Sequence, residues 1–160
     1  EGHALATLLA LRGAGAAVPA PRARSASVAV LSPSVERVFG VVALLGEAWA
    51  VKPLALGAHG GGRKKDQIAR QARALARGAV VAAATPGRLL RLLDEGHACL
   101  EGTELVVLDL AVDRKGRDLL TLPETRRDFI RLLRVHLQPL LERPGGPRLA
   151  LCGSGDASGA

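Results

Sequence analysis

Thr85-Pro86-Gly87-Arg88 stands between the apolar run Ala79-Val80-Val81-Ala82-Ala83-Ala84 and a stretch that carries Leu89, Leu90, Leu92 and Leu93 at helical spacing before Gly96. Thr is a favoured helix N-cap and Pro suits the first helical position, so these residues read as a helix start. A helix start presents backbone N–H groups that have no acceptor within the helix. With the Arg88 guanidinium in the first turn they make an anion site, and a nucleic-acid phosphate is a natural anion for it. The plainer reading is an ordinary capped helix whose arginine lies on the surface or pairs with an acid such as Asp109.

Other segments carry weaker chemistry. Gly60-Gly61-Gly62-Arg63-Lys64-Lys65 is a Gly-rich, basic turn. Glycine lets a phosphate approach the backbone, and Arg63 and Lys64 would neutralise it. No Gly-Lys-Ser or Gly-Lys-Thr follows, so this is not a nucleotide P-loop, and a solvated loop is the plainer reading. Asp109 and Asp113 are two acids at which Mg²⁺ is conceivable, but no phosphate cradle accompanies them, and a turn-capping role is the expectation. Ser32-Pro33-Ser34 reads as the cap of another helix. His3, His59, His97 and His136 are scattered, Cys99 and Cys152 lack ligand spacing, and Ser154 has no positioned base. No metal site, disulfide framework or nucleophilic triad is expected.

The elements that position these residues alternate in period. Ser27 to Leu31, Val51 to Leu56, Ala79 to Ala84, Glu104 to Asp109 and Arg148 to Cys152 read as buried strands. Between them, helices are expected over Ser34 to Ala48, with Val35, Val38, Phe39, Val42 and Leu45 on one face. Others are expected from an Asp66 cap to Arg77, from Pro86 to Asp94, and from Pro123 to about Leu141. Gly78 and Gly96 read as helix stops. Residues His3 to Leu11 suggest a short amphipathic helix, Gly13 to Ser25 a linker, and the stretch after Gly153 a small, polar tail. Strands alternating with helices predict a three-layer α/β/α parallel sheet, with ligand-binding residues gathered at the carboxyl ends of the strands.

The chain has 160 residues and 48% hydrophobic residues, enough for one cored domain. A net charge of +7 favours an anionic partner, whereas 2% aromatic residues leave few faces on which bases could stack. No apolar run reaches the ~18 residues of a membrane span.

In order and spacing these pieces resemble the first RecA-like lobe of DEAD-box RNA helicases. Leu31-Ser32-Pro33-Ser34-Val35-Glu36-Arg37 stands where that family has Pro-Thr-Arg-Glu. Gly60-Gly61 matches its double glycine, and Ala84-Thr85-Pro86-Gly87-Arg88 its Ala-Thr-Pro-Gly-Arg motif. Leu105 to Asp109 matches the strand that enters the Asp-Glu-Ala-Asp box, and Leu149 to Ser154 stands where Ser-Ala-Thr belongs. The departures are on the ATP side. No Lys-Thr precedes Ser27, and Leu110 replaces the box Glu that would polarise the attacking water.

This selective loss, with Leu122-Pro123-Glu124-Thr125-Arg126-Arg127-Asp128 after the box, resembles the degenerate DEAD-box components of the small-subunit processome, the family named for complementation of an Mcm-ten suppressor. That resemblance implies a RecA-like lobe over 27–152, flanked by 1–26 and a tail at 153–160, without a functional P-loop. It implies a non-catalytic protein with no cofactor or metal, placed in the nucleus and nucleolus. Its partners would be pre-ribosomal or small nucleolar RNA and ribosome-assembly proteins, with no membrane and no small-molecule substrate. The RNA-binding residues would be Ser32, Pro33, Gly60, Gly61, Arg63, Lys64, Thr85, Gly87 and Arg88. The alternative is the N-terminal lobe of an active ATP-dependent helicase.

Overall fold

The computed structural model describes residues 20–48, 52–58 and 63–153. Five parallel strands form one sheet in the order β2-β3-β1-β4-β5. They are β1 (Ala26–Leu31), β2 (Leu54–Leu56), β3 (Ala79–Ala84), β4 (Leu105–Asp109) and β5 (Arg148–Cys152). The helices are α1 (Val35–Ala48), α2 (Lys64–Leu75), α3 (Pro86–Asp94), α4 (Pro123–Leu132) and α5 (Gln138–Leu141). A π-helical turn, Leu133–Leu137, joins α4 to α5.

Alternation along the strands separates two apolar layers, because successive side chains leave a strand on opposite faces. Val28 and Val30 of β1, Val81 and Ala83 of β3, and Leu105 and Val107 of β4 pack with Val38, Val41 and Leu45 of α1. On the other face Leu31, Ala82, Ala84, Val106 and Leu108 pack with Ile68 and Leu75 of α2, Leu89, Leu90 and Leu92 of α3, and Phe129 and Leu132 of α4. Residues that pair across strands, such as Leu31 with Ala84 and Leu108, share a face, so this register keeps both layers apolar. The expected three-layer parallel α/β architecture is the observed one. At the β5 edge, Leu149 and Leu151 are 45% and 62% exposed.

Several boundaries differ from the sequence expectation. β2 is confined to Leu54–Leu56. α2 begins at Lys64, so Asp66 lies inside its first turn rather than capping it, where an acid still favours the helix dipole. On α1 the buried face runs through Val41, while Phe39 is 37% exposed. The long helix after Pro123 is interrupted by the π turn, and Pro139, which has no N–H to donate, follows that turn. Gly78 and Gly96 end their helices with φ of 79° and 72°, as glycine stops do. The segments read as His3 to Leu11, as the loop around His59 to Gly62 and as the tail from Ser154 lie outside the described residues, as does most of the stretch read as a linker.

Among the described residues, no helix is long and apolar enough to cross a membrane.

Candidate nucleic-acid interface

The carboxyl ends of β1, β2, β3 and β4 meet at one edge. Ser32 N–H donates to the Ala84 carbonyl (2.9 Å), and Thr85 N–H to the Leu56 carbonyl (3.4 Å). The Ser32 hydroxyl donates to Asp109 Oδ2 at 3.1 Å. Arg37 of α1 closes a fork on the same carboxylate, Nε to Oδ2 at 2.7 Å and Nη2 to Oδ1 at 3.2 Å. The Ala111 N–H adds a further bond to Oδ1, 3.2 Å. Asp109 is 1% exposed, and a buried carboxylate is tolerated only when paired in this way. Arg88 does not pair with Asp109, because Arg37 does. Ser32 is fully buried, with its hydroxyl spent on Asp109 rather than offered outward, a correction to its expected contact with RNA.

Thr85 is extended (φ −77°, ψ 147°) and opens α3 at Pro86. Its side chain makes no cap hydrogen bond, contrary to the sequence expectation. Its carbonyl instead accepts from Arg88 N–H (3.1 Å) and Leu89 N–H (3.0 Å). Pro86 has no N–H. Gly87 therefore holds the one first-turn donor without an acceptor among the described residues.

Gly87 does not have the positive φ that requires glycine. A Cβ at Gly87 would instead collide with the Asp128 carboxylate of α4, the end of a flexible side chain. The start of α4 is tied to the β1 edge by Thr125 Oγ1, which donates to the Pro33 carbonyl at 3.2 Å. Further along, Arg131 and His136 converge on Asp94 at the end of α3, at 2.9 and 3.1 Å.

Arg88 turns toward α2. Its Nη2 reaches Gln67 Oε1 at 3.4 Å, a long and weak bond. Its Nη1 is buried and has no partner among the described residues. Burial pushes the guanidinium pKa down, neighbouring Arg91 pushes the same way, and Glu95 opposes them. One turn beyond Gln67, Gln71 Nε2 donates to the Gly57 carbonyl at 2.8 Å, while Gln71 Oε1 is buried and has no partner among the described residues. Gln67 and Gln71 were absent from the sequence-derived site. The signal for them was a pair of amides one helical turn apart on the face that carries Ile68 and Leu75.

Arg63 is exposed at the N-cap position of α2, and Lys64 is that helix's first residue. Gly60 and Gly61 lie outside the described residues. Asp109 and Asp113 are apart in role: Asp113 is held by Arg117 (2.7 Å) and accepts the Lys115 and Arg117 N–H groups at 2.8 and 2.9 Å. These bonds, chiefly that to the Arg117 side chain, pull its pKa down to about 2. Among the described residues no group of three or more His, Cys, Asp or Glu converges as a metal site would need.

Comparison with known proteins places this geometry. No protein-family profile matches the chain. The ATP-dependent RNA helicase DBP2 of Encephalitozoon cuniculi is 38% identical over 94 residues, which cover 58% of this chain and 18% of that protein. Saccharomyces cerevisiae Dbp5 bound to RNA and ADP–BeF3 superposes with a TM-score of 0.58 at 18% identity, over 100% of this chain and 34% of the other. A DEAD-box protein from Methanococcus jannaschii gives 0.56 at 19% identity, over 82% of this chain and 31% of that one. The yeast DEAD-box splicing factor Prp28 gives 0.57 at 17%, over 84% and 30%. The chain is thus similar to DEAD-box RNA helicases and has the fold of one RecA-like lobe. It spans less than a fifth of the curated relative it matches.

The expectation of a non-catalytic protein is corrected by this finding. The curated relative is an ATP-dependent helicase, an enzyme. Missing motifs in one lobe do not speak for a whole protein, and the match covers 18% of that relative.

The described residues do not themselves fit a nucleotide–metal group. The buried carboxylate at the strand edge, Asp109, has both oxygens bonded to Arg37, Ser32 and the Ala111 N–H, and a cation there would have to displace Arg37.

Proposed function

We propose that this chain is an RNA-binding lobe of the DEAD-box helicase kind, which grips backbone phosphates at the turn Thr85-Gly87-Arg88. The observation that carries the reading is a pair of donors in one turn that have no acceptors among the described residues. They are the Gly87 N–H at the start of α3 and the buried Arg88 Nη1. A phosphate has the charge and oxygens to satisfy both. Arg63 and Lys64, at the start of α2, extend the same basic edge.

RNA is the proposed polymer because the curated relative is named an RNA helicase and one structural neighbour was solved on RNA. The net charge of +7 and the scarcity of aromatic residues favour phosphate contacts over base stacking, hence weak sequence preference. ATP-dependent unwinding enters this proposal only for the whole protein of which such a lobe is part. The segment Leu122 to Asp128 carries the finer proposal: a role in small-subunit ribosome assembly in the nucleolus, on pre-ribosomal or small nucleolar RNA and beside assembly proteins.

Binding of single-stranded RNA measured across a salt series tests the first claim. Affinity should fall steeply as salt rises, since each neutralised phosphate releases counterions. Affinity independent of salt would contradict it. Crosslinking of the native protein to RNA, with sequencing of the recovered RNA, tests the second. Recovery of messenger RNA in place of ribosomal precursors would remove the assembly role.

A further inference from the structure

The space in front of the Gly87 turn already holds an anion. The Asp128 carboxylate lies where a Gly87 side chain would be. Among the described residues no cation is paired with it, although Arg88, Arg126 and Arg127 are close in sequence to one or other end of this contact. The backbone at residue 87 would accept any side chain. Glycine is there to let an oxygen come close, and the oxygen that does so is the chain's own. A carboxylate beside the positive end of a helix is stabilised there without any ligand.

We propose that Asp128 is a resident competitor for RNA phosphate at this turn: its carboxylate holds the Gly87 position in the free protein and yields it to RNA. The inference rests on the phosphate reading of Thr85-Gly87-Arg88. Rotation about one side-chain bond moves the carboxylate away, while α4 stays fixed through the Thr125–Pro33 and Arg131–Asp94 bonds. Until it moves, an incoming phosphate meets a like charge beside the open donor. RNA affinity is therefore set below what the turn and Arg88 alone would give, and weak, single phosphate contacts are rejected in favour of longer RNA held at several points.

The test uses the full chain and a fluorescent single-stranded oligouridylate. Binding is compared for the unaltered chain, Asp128→Asn, Glu124→Gln and Arg88→Ala, with a melting curve for each. Asp128→Asn keeps the shape and removes the charge. It should tighten RNA binding about two- to fivefold, the effect of one charge near a helix start, without raising the melting temperature. Glu124→Gln removes an exposed acid one turn away on the same helix and should change binding less. Unchanged binding in Asp128→Asn would overturn the inference. Weaker binding would also overturn it, making Asp128 an acceptor for a ribose hydroxyl. An equal gain in Glu124→Gln would reduce the effect to net charge and overturn it as well. If Arg88→Ala weakens binding while Asp128→Asn does not alter it, only this inference fails. If Arg88→Ala binds like the unaltered chain, the phosphate site itself falls.

Discussion

The Asp128 carboxylate of α4 rests against the Cα of Gly87 in the first turn of α3, so two helices distant in sequence meet at the turn whose N–H has no acceptor among the described residues. The contact accounts for the glycine by proximity rather than by backbone conformation. It also separates what the fold needs at this position from what a ligand would need.

Gly87→Ala should therefore be nearly neutral for stability. The new Cβ displaces the end of a flexible side chain, and alanine's helix propensity offsets the lost contact, so the change should stay within about 1 kcal/mol. RNA affinity should fall, because the methyl stands where a phosphate oxygen would approach. Urea denaturation and RNA titration of the variant check both halves. A loss of several kcal/mol would show a rigid turn that glycine serves structurally.

Arg37→Ala should be among the most destabilising single changes at the strand edge. It leaves Asp109, 1% exposed, charged beside only Ser32 and the Ala111 N–H. Removing one partner of a buried pair costs roughly 3–5 kcal/mol, and the 26% exposure of the Arg37 side chain brings the expectation down to about 2–4 kcal/mol. Arg37→Ala combined with Asp109→Asn should recover much of that loss. A double variant as unstable as Arg37→Ala would contradict the pairing.

How far the sequence led is clearest on α3. Its run from Pro86 to Asp94 and the preceding strand Ala79 to Ala84 stand as read, because Pro, Gly and the switch from a continuous apolar run to helical spacing are local signals. The same local logic misplaced the start of α2, where Asp66 had the right chemistry for a cap but lies inside the helix. It also assigned the capping of α3 to the Thr85 hydroxyl when the Thr85 carbonyl accepts instead. The partners of the site residues were beyond local signals. Arg37 on Asp109, Asp128 on Gly87 and Gln67 on Arg88 are set by how the helices pack on the sheet. Missing ATP motifs suggested a non-catalytic protein, but a motif census of one lobe says nothing about residues outside it.

The Asp113–Arg117 turn gives a pH signature away from the candidate interface. The folded pKa of Asp113 lies below its unfolded value, so the stabilisation is complete above the ordinary carboxylate range and is lost as pH falls toward about 2. Carbon NMR of the Asp113 carboxyl should follow that low titration, and Arg117→Ala should return it to the ordinary range. An ordinary titration in the unaltered chain would show that the Arg117 bonds do not persist in solution.

The most direct measurement is RNA affinity beside melting temperature for Arg88→Ala, with Arg91→Ala as the companion. Arg88 has one buried nitrogen without an acceptor among the described residues, so its loss should leave the melting temperature unchanged or slightly raised. RNA affinity should drop about tenfold or more, the size of one charge-assisted contact. Arg91 is exposed and paired with Glu95 at 2.7 Å, so Arg91→Ala should change both quantities little. A clear fall in melting temperature for Arg88→Ala with RNA affinity intact would make Arg88 a structural residue and contradict the phosphate-binding account.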